Sequence, residues 1–169
     1  MSALSHFRET TPDEVYPVPP VEIARHLGFC LGNAVLCALC APYRDGVEDC
    51  DKALECLRLE DEMPQLFLGH FAYLHATGAS DRLTDFLRHA SGDTLWKDIS
   101  YWQAFFLDEL HHYLFIKTDS RRCEDVGSVR KSRDSMSCYV RELRRVLSLR
   151  DTTGQIYEGM TGLPDKKDE

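Results

Sequence analysis

At 169 residues the chain has the length of one domain, and 43% hydrophobic with 28% charged residues is the composition of an ordinary globular protein. Its formal charge of −8 opposes binding to nucleic acids and to anionic membranes. No apolar run approaches the roughly 20 residues that span a bilayer, and the N-terminal sequence has neither the basic start nor the apolar core of a secretion signal. These features predict a cytoplasmic protein without a membrane segment.

Three regions are predicted along the chain. Residues 1–20 contain four prolines and little periodicity, so we expect an extended or disordered arm that lies across the surface through Phe7 and Tyr16. Residues 21–150 carry the helical patterns and form the single domain. Residues 151–169 are mostly polar, and we expect them to form a flexible tail.

Six segments of the central region have the apolar spacing of helices. Pro42 and Gly46 are expected to end the first segment and Gly78 the third, while Ser80 caps the fourth and Gly92 ends it. The segments are 21–41, 47–61, 64–76, 81–90, 94–117 and 128–149.

The fifth segment has the clearest pattern. Its apolar residues recur at steps of four and three, and others form a second stripe, so we expect it to be the longest helix and a central one. The main stripe consists of Leu95, Ile99, Trp102, Phe106, Leu110 and Tyr113. No stretch alternates as a strand does. The sequence therefore predicts an all-α, single-domain bundle of about six helices with a long central fifth helix.

Seven cysteines, an odd number scattered through helical segments, are not typical of a disulfide framework. The sequence CALC ends the first helix, where Cys37 and Cys40 face the same way. A zinc site would need two further ligands, and a redox pair would lie at a helix N-terminus, where the dipole lowers the thiol pKa. We therefore expect reduced, structural thiols, with Cys37 more buried than Cys40. A metal site at this pair is the alternative.

Glu109 and His112 have the ExxH spacing found in carboxylate-bridged di-iron bundles. Such bundles carry a second ExxH pair, whereas the nearest counterpart here, Glu22 with His26, has a spacing of four. We expect an intrahelical contact between Glu109 and His112 on a solvated helix edge, and no cofactor. A metal site at these two residues is the alternative.

Arg82 and His89 lie seven residues apart, a spacing that resembles the Arg–His signature of HEPN-type ribonucleases, which are also helical bundles. The resemblance implies RNA cleavage by these two side chains. It covers these two positions, and Leu83 stands where such ribonucleases usually carry a polar residue. Residues seven apart share a face of any helix, so chance is the preferred interpretation.

Basic residues concentrate towards the C-terminus. Residues 121–150 carry a net charge of +5, which leaves −13 for the rest of the chain. Four arginines on the outward face of the sixth helix are the predicted partner-binding residues: Arg130, Arg141, Arg144 and Arg145. Three interpretations are open: a face that is solvated or paired with the acidic second helix, a face that binds a protein, or a face that binds nucleic acid. The negative charge of the remainder disfavours nucleic acid.

The chain has no GxGxxG, GxxxxGK[ST], GxSxG or HExxH motif. The preferred hypothesis is therefore a non-enzymatic helical module that binds a protein partner or a second copy through opposite charges, as an adaptor, regulator or assembly factor. The alternatives are a metal-dependent helical enzyme or sensor, and a nucleic-acid-binding protein.

Overall fold

The structure, a computed structural model, describes residues 10–62, 69–118 and 126–161, with side chains placed up to residue 152. The all-α prediction is confirmed, because this part of the chain contains seven α-helices packed together and no strand. The elements are α1 (Pro12–Val15), α2 (Pro20–Ala24), α3 (Phe29–Cys40), a 3-10 turn (Ala41–Tyr43), α4 (Val47–Glu62), α5 (His70–Arg88), α6 (Thr94–Thr118) and α7 (Val126–Thr161). None of these helices combines the length and the apolar character needed to cross a bilayer.

The described end of the N-terminal region is more ordered than its prolines suggest. Residues 12–15 form α1, and Tyr16 and Val18 are buried in the common core. The ring of Tyr16 packs edge-on against Tyr43 and Phe86, so it inserts between distant elements instead of lying on the surface. Residues 12–15 are therefore helical instead of extended, and Tyr16 is extended but buried instead of lying on the surface. Phe7 lies outside the described residues.

The first predicted helix is in fact two helices. α2 ends at Ala24, the chain turns, and α3 begins after Gly28, whose extended backbone has a ψ of 164°. The two helices then pack closely: a Cβ added at Gly32 would lie 2.9 Å from the carbonyl oxygen of Ala24. The apolar spacing did not reveal the break, because both segments bury residues in the same core.

The third and fourth predicted helices are instead parts of one helix, α5. It runs from His70 through Gly78, and Ser80 is buried inside it instead of capping a new helix. A helical glycine costs only about 1 kcal/mol relative to alanine, and Ala76, Ala79 and Leu83 keep one buried face in phase across it. The predicted start at 64 lies outside the described residues.

α6 and α7 form the largest interface of the bundle. α6 packs between α5 and α7, and every residue of its predicted main stripe is buried or half-buried. α7 starts at Val126, two residues before the predicted segment, and continues to Thr161, within the region predicted as a flexible tail. At 36 residues it is longer than α6, which has 25, so the expectation that the fifth segment is the longest helix is wrong.

A buried polar contact, which we call the α3 end junction, joins three parts of the chain. The side chain of Gln103 on α6, only 1% exposed, donates from Nε2 to the carbonyl oxygens of Ala38 and Leu39, at 3.1 Å each. Its Oε1 accepts a hydrogen bond of 2.9 Å from the hydroxyl of Tyr16, which also lies 3.1 Å from the carbonyl oxygen of Leu39. In a continuing helix the carbonyl of Ala38 would accept from residue 42, but Pro42 has no N–H. Gln103 therefore supplies a donor that the helix cannot.

Candidate functional site

The two cysteines of CALC are buried in the opposite order from the prediction. Cys40 is buried and Cys37 half-buried, although both lie near Asp49 of α4. Burial raises the pKa of the Cys40 thiol to about 11, and burial together with nearby Asp49 raises that of Cys37. Both are free thiols.

Within the described residues, no group of three or more His, Cys, Asp and Glu is placed to hold a metal ion.

Timed alkylation of the folded protein at pH 8 is expected to rank three of its cysteines: the exposed Cys138 reacts before Cys37, and Cys37 before Cys40. Only the thiolate reacts, and a pKa raised from about 9 to about 11 lowers its fraction at pH 8 about a hundredfold. Peptide mass spectrometry at successive times measures the order. In denaturant the three rates should converge, and equal rates for Cys37 and Cys40 in the folded protein would contradict the burial described.

Glu109 is held between α6 and α7. Its Oε1 accepts hydrogen bonds from Nδ1 of His112, at 3.2 Å, and from the hydroxyl of Ser132 on α7. The intrahelical contact expected from the sequence is present, and His112 is exposed. In a catalytic triad the histidine lies between the hydroxyl and the carboxylate, whereas here the Glu109 carboxylate lies between His112 and Ser132. It joins two helices.

A second histidine, His111 of α6, contacts two residues of α5, and the sequence did not predict this contact. Nδ1 of His111 lies 2.8 Å from the Asp81 carboxylate, and its Nε2 lies 3.5 Å from the hydroxyl of Tyr73. Asp81 and Tyr73 are eight residues apart on α5, so only the packing of α5 on α6 brings the three together. The carboxylate is largely exposed, and a contact of this kind in water stabilises a fold by less than about 1 kcal/mol.

The Arg82 and His89 pair lies on the exposed side of the C-terminal half of α5. His89 follows the last helical residue, and its Nδ1 contacts the carbonyl oxygen of Asp85 at 2.8 Å. Both side chains are exposed to solvent.

The predicted arginine face is partly engaged within the molecule. Arg144 makes a two-bond contact with Asp51 of α4, at 2.7 and 3.1 Å, and Arg145 pairs with Glu142 at 2.9 Å. Arg141 contacts the Cys138 thiol, and Arg130 is exposed. Among the described residues, Arg130 and Arg141 form no ion pair. The guanidinium groups of the face are therefore not equally available to a partner.

An exposed aromatic surface lies where α6 meets α7. It consists of Tyr101, Trp102 and Phe105 of α6 with Tyr139 of α7, and we call it the aromatic surface. The ring centroids of Tyr101 and Phe105 are 4.6 Å apart, and Tyr139 lies 5.5 Å from Phe105 and 6.2 Å from Trp102. Tyr101 is 53% and Phe105 37% exposed. The segment YWQAFF could have indicated a surface of this kind, because it has more aromatic residues than one buried stripe can hold. Tyr139 could not have been found in this way, since only the packing of α7 on α6 brings it there.

A groove of about 450 Å³ adjoins the aromatic surface, between the end of α5 and α6. We call it the α5–α6 groove. Its lining includes Leu87, Arg88, Lys97, Tyr101, Phe105 and Asp108. Arg88 forms an ion pair with Asp108 across one end, and Lys97 lies at the other. The groove is thus apolar along its middle and charged at both ends.

Comparison with known proteins gives no identity. No family model matches the chain, and no curated protein and no solved structure matches it.

Proposed function

We propose that this protein is a non-enzymatic helical module that binds another protein, and that the aromatic surface is the centre of the contact. The observation that carries the proposal is a contiguous set of four aromatic rings, two of them more than a third exposed. Tyrosine and tryptophan are enriched among the residues that dominate binding energy at protein interfaces, because they bury a large rigid area and keep a polar group for the rim.

The arginines have a smaller part in this proposal than the sequence suggested. Arg144 and Arg145 already pair with carboxylates of the same molecule, so a partner would compete with those contacts. Arg130 and Arg141 remain as rim residues, where charge increases the association rate more than the affinity. The proposed location is the cytoplasm, where cysteines of this number stay reduced.

Neither alternative has an observation of equal weight. For a metal-dependent enzyme, the described residues bring no third ligand to Glu109 and His112 or to Cys37 and Cys40. For nucleic acid, aromatic rings near cations could stack on bases, but the formal charge of −8 opposes a phosphate backbone. Binding to a protein surface is therefore the preferred function.

The test compares proteins that co-purify with wild type and with a Tyr101→Ser, Phe105→Ser double variant expressed in the native cells. At least one stoichiometric partner of the wild type should be lost from the double variant. With the purified partner, Kd should rise at least about 30-fold, the equivalent of one residue worth 2 kcal/mol. Isothermal titration calorimetry measures this value.

The matched control is Phe29→Ser, because Phe29 is an aromatic residue that is 83% exposed but lies at the start of α3, outside the aromatic surface. This variant should keep the partner. Full retention of every stoichiometric partner by the double variant, with unchanged helical circular dichroism, would refute the proposal. Loss with Phe29→Ser alone would move the interface to another face and refute it equally.

A further inference from the structure

We infer that the α5–α6 groove binds an acidic amphipathic helix of about three turns. This inference rests on the proposed function, since it names the kind of partner that the aromatic surface and the adjoining groove accept. The groove-lining residues of α6 include Lys97, Tyr101, Phe105 and Asp108. Lys97 and Asp108 are eleven residues apart, so at a rise of 1.5 Å per residue the α6 side of the groove is roughly 16 Å long. Three turns of a partner helix have the same length.

The middle of the groove is suited to apolar side chains. Leu87 and Ala104 are buried at its base, and the exposed rings of Tyr101 and Phe105 rise beside them. Helices that bind in grooves insert apolar residues at positions i, i+3 or i+4, and i+7. A partner helix with that pattern covers the exposed parts of both rings.

The charged residues that line the groove favour an acidic helix locally, although the whole chain has a formal charge of −8. Arg88 and Asp108 neutralise each other at one end, whereas the Lys97 ammonium group at the other end forms no ion pair within the described residues. The net charge of the lining is therefore +1, and a carboxylate on the partner gains a counterion that a lysine would lack.

A second copy of this chain is a poorer occupant. Its most acidic helix is α4, where Arg58 pairs with Glu55 and Glu62, and Lys52 pairs with Glu48 and Asp49. Those carboxylates would have to leave their intramolecular partners before they could reach Lys97. An acidic helix of a different protein has no such cost.

The probe is a phage-displayed library of random 12-residue peptides, selected in parallel on the wild-type protein and on Lys97→Glu. The wild type should enrich peptides with apolar residues at helical spacing and an excess of Asp and Glu. By fluorescence anisotropy, the best such peptide should bind Lys97→Glu at least about tenfold more weakly, and replacing its groove-end Glu by Lys should restore affinity for that variant only. Phe29→Ser should bind this peptide as the wild type does.

Several outcomes would overturn the inference, and they separate it from the proposed function. Peptides that require Tyr101 and Phe105 but are basic or uncharged would refute the acidic partner and leave the protein-binding surface intact. So would self-association, measured by light scattering, that disappears in the Tyr101→Ser, Phe105→Ser variant. Failure to enrich any peptide family, or enriched peptides that bind this double variant as well as wild type, would refute the groove as a peptide site. A fluorescein-labelled oligothymidine that binds wild type but not the double variant would refute both.

Discussion

The Gln103→Leu variant is expected to have a free energy of unfolding about 3 kcal/mol lower than wild type. Leucine fills a similar space but removes the donor to Ala38 and Leu39 and one of two acceptors of the Tyr16 hydroxyl, which keeps the Leu39 carbonyl oxygen at 3.1 Å. A buried polar group left without a partner costs about 1–3 kcal/mol, and Pro42 prevents the helix from supplying a donor to Ala38. Urea denaturation followed by circular dichroism measures the loss.

Two further variants test the cause of that loss. Tyr16→Phe should cost about 1 kcal/mol alone and at least as much in the Gln103→Leu background, because there the Tyr16 hydroxyl, 3.1 Å from the Leu39 carbonyl oxygen, donates to it in place of Gln103. Pro42→Ala restores an N–H at residue 42, so in this background Gln103→Leu should cost about 1 kcal/mol less. A cost below 1 kcal/mol for Gln103→Leu in the otherwise unchanged protein would show that the α3 end junction contributes little.

Gly32→Ala is expected to lower the free energy of unfolding by about 1–3 kcal/mol, although alanine is the better helix former. The added Cβ would lie 2.9 Å from the carbonyl oxygen of Ala24, a backbone atom that moves only if α2 moves away from α3. Gly78→Ala is the matched control. Gly78 is also helical, but a Cβ there meets nothing within 4 Å, so this change should raise stability by about 0.5–1 kcal/mol.

Urea denaturation of the two glycine variants measures both values under one set of conditions. Opposite signs are the expected result. If both substitutions stabilise the protein, the close approach of α2 and α3 is wrong, because helix propensity alone then accounts for both.

The parts of the fold that the sequence predicted well are those where the apolar helical period runs without interruption. α4 was predicted over 47–61 and observed over Val47–Glu62, and α6 was predicted over 94–117 and observed over Thr94–Thr118. Neither has an internal glycine or proline. In such a segment the apolar period, the ends and the packing direction agree, so no tertiary information is needed.

The errors arise where a residue's role depends on distant partners. Gly28 precedes the start of α3 and Gly78 lies within α5, although both are glycines in apolar helical patterns. The difference is the packing on either side, which the local sequence does not contain. The predicted order of burial of Cys37 and Cys40 was also wrong, because the apolar stripe of one helix does not say which elements pack around its end.

The candidate site was less predictable than the fold. Trp102 was assigned to the buried stripe. It is half-buried instead, and its ring lies beside those of Tyr101 and Tyr139 at the surface. Tyr139 lies 34 residues after Phe105 in the chain, and a surface made by two helices has no periodic signature in either. The pairing of Arg144 with the acidic second helix was among the open interpretations, but its partner Asp51 could not be chosen without the packing of α4 on α7.

The α3 end junction also has a kinetic consequence. The hairpins formed by α3 with α4, and by α5 with α6, join segments that are close in sequence and can form early. The carbonyl groups at the end of α3, by contrast, accept from Gln103, which is more than 60 residues away, and the Pro42 carbonyl accepts from Arg150, which is 108 residues away. Residues this far apart in the chain meet slowly, because closing a long loop has an entropic cost that must be met before the contact forms. We expect the carbonyls of Ala38 and Pro42 to stay hydrated until α6 and α7 dock, so that water leaves them among the last steps of folding.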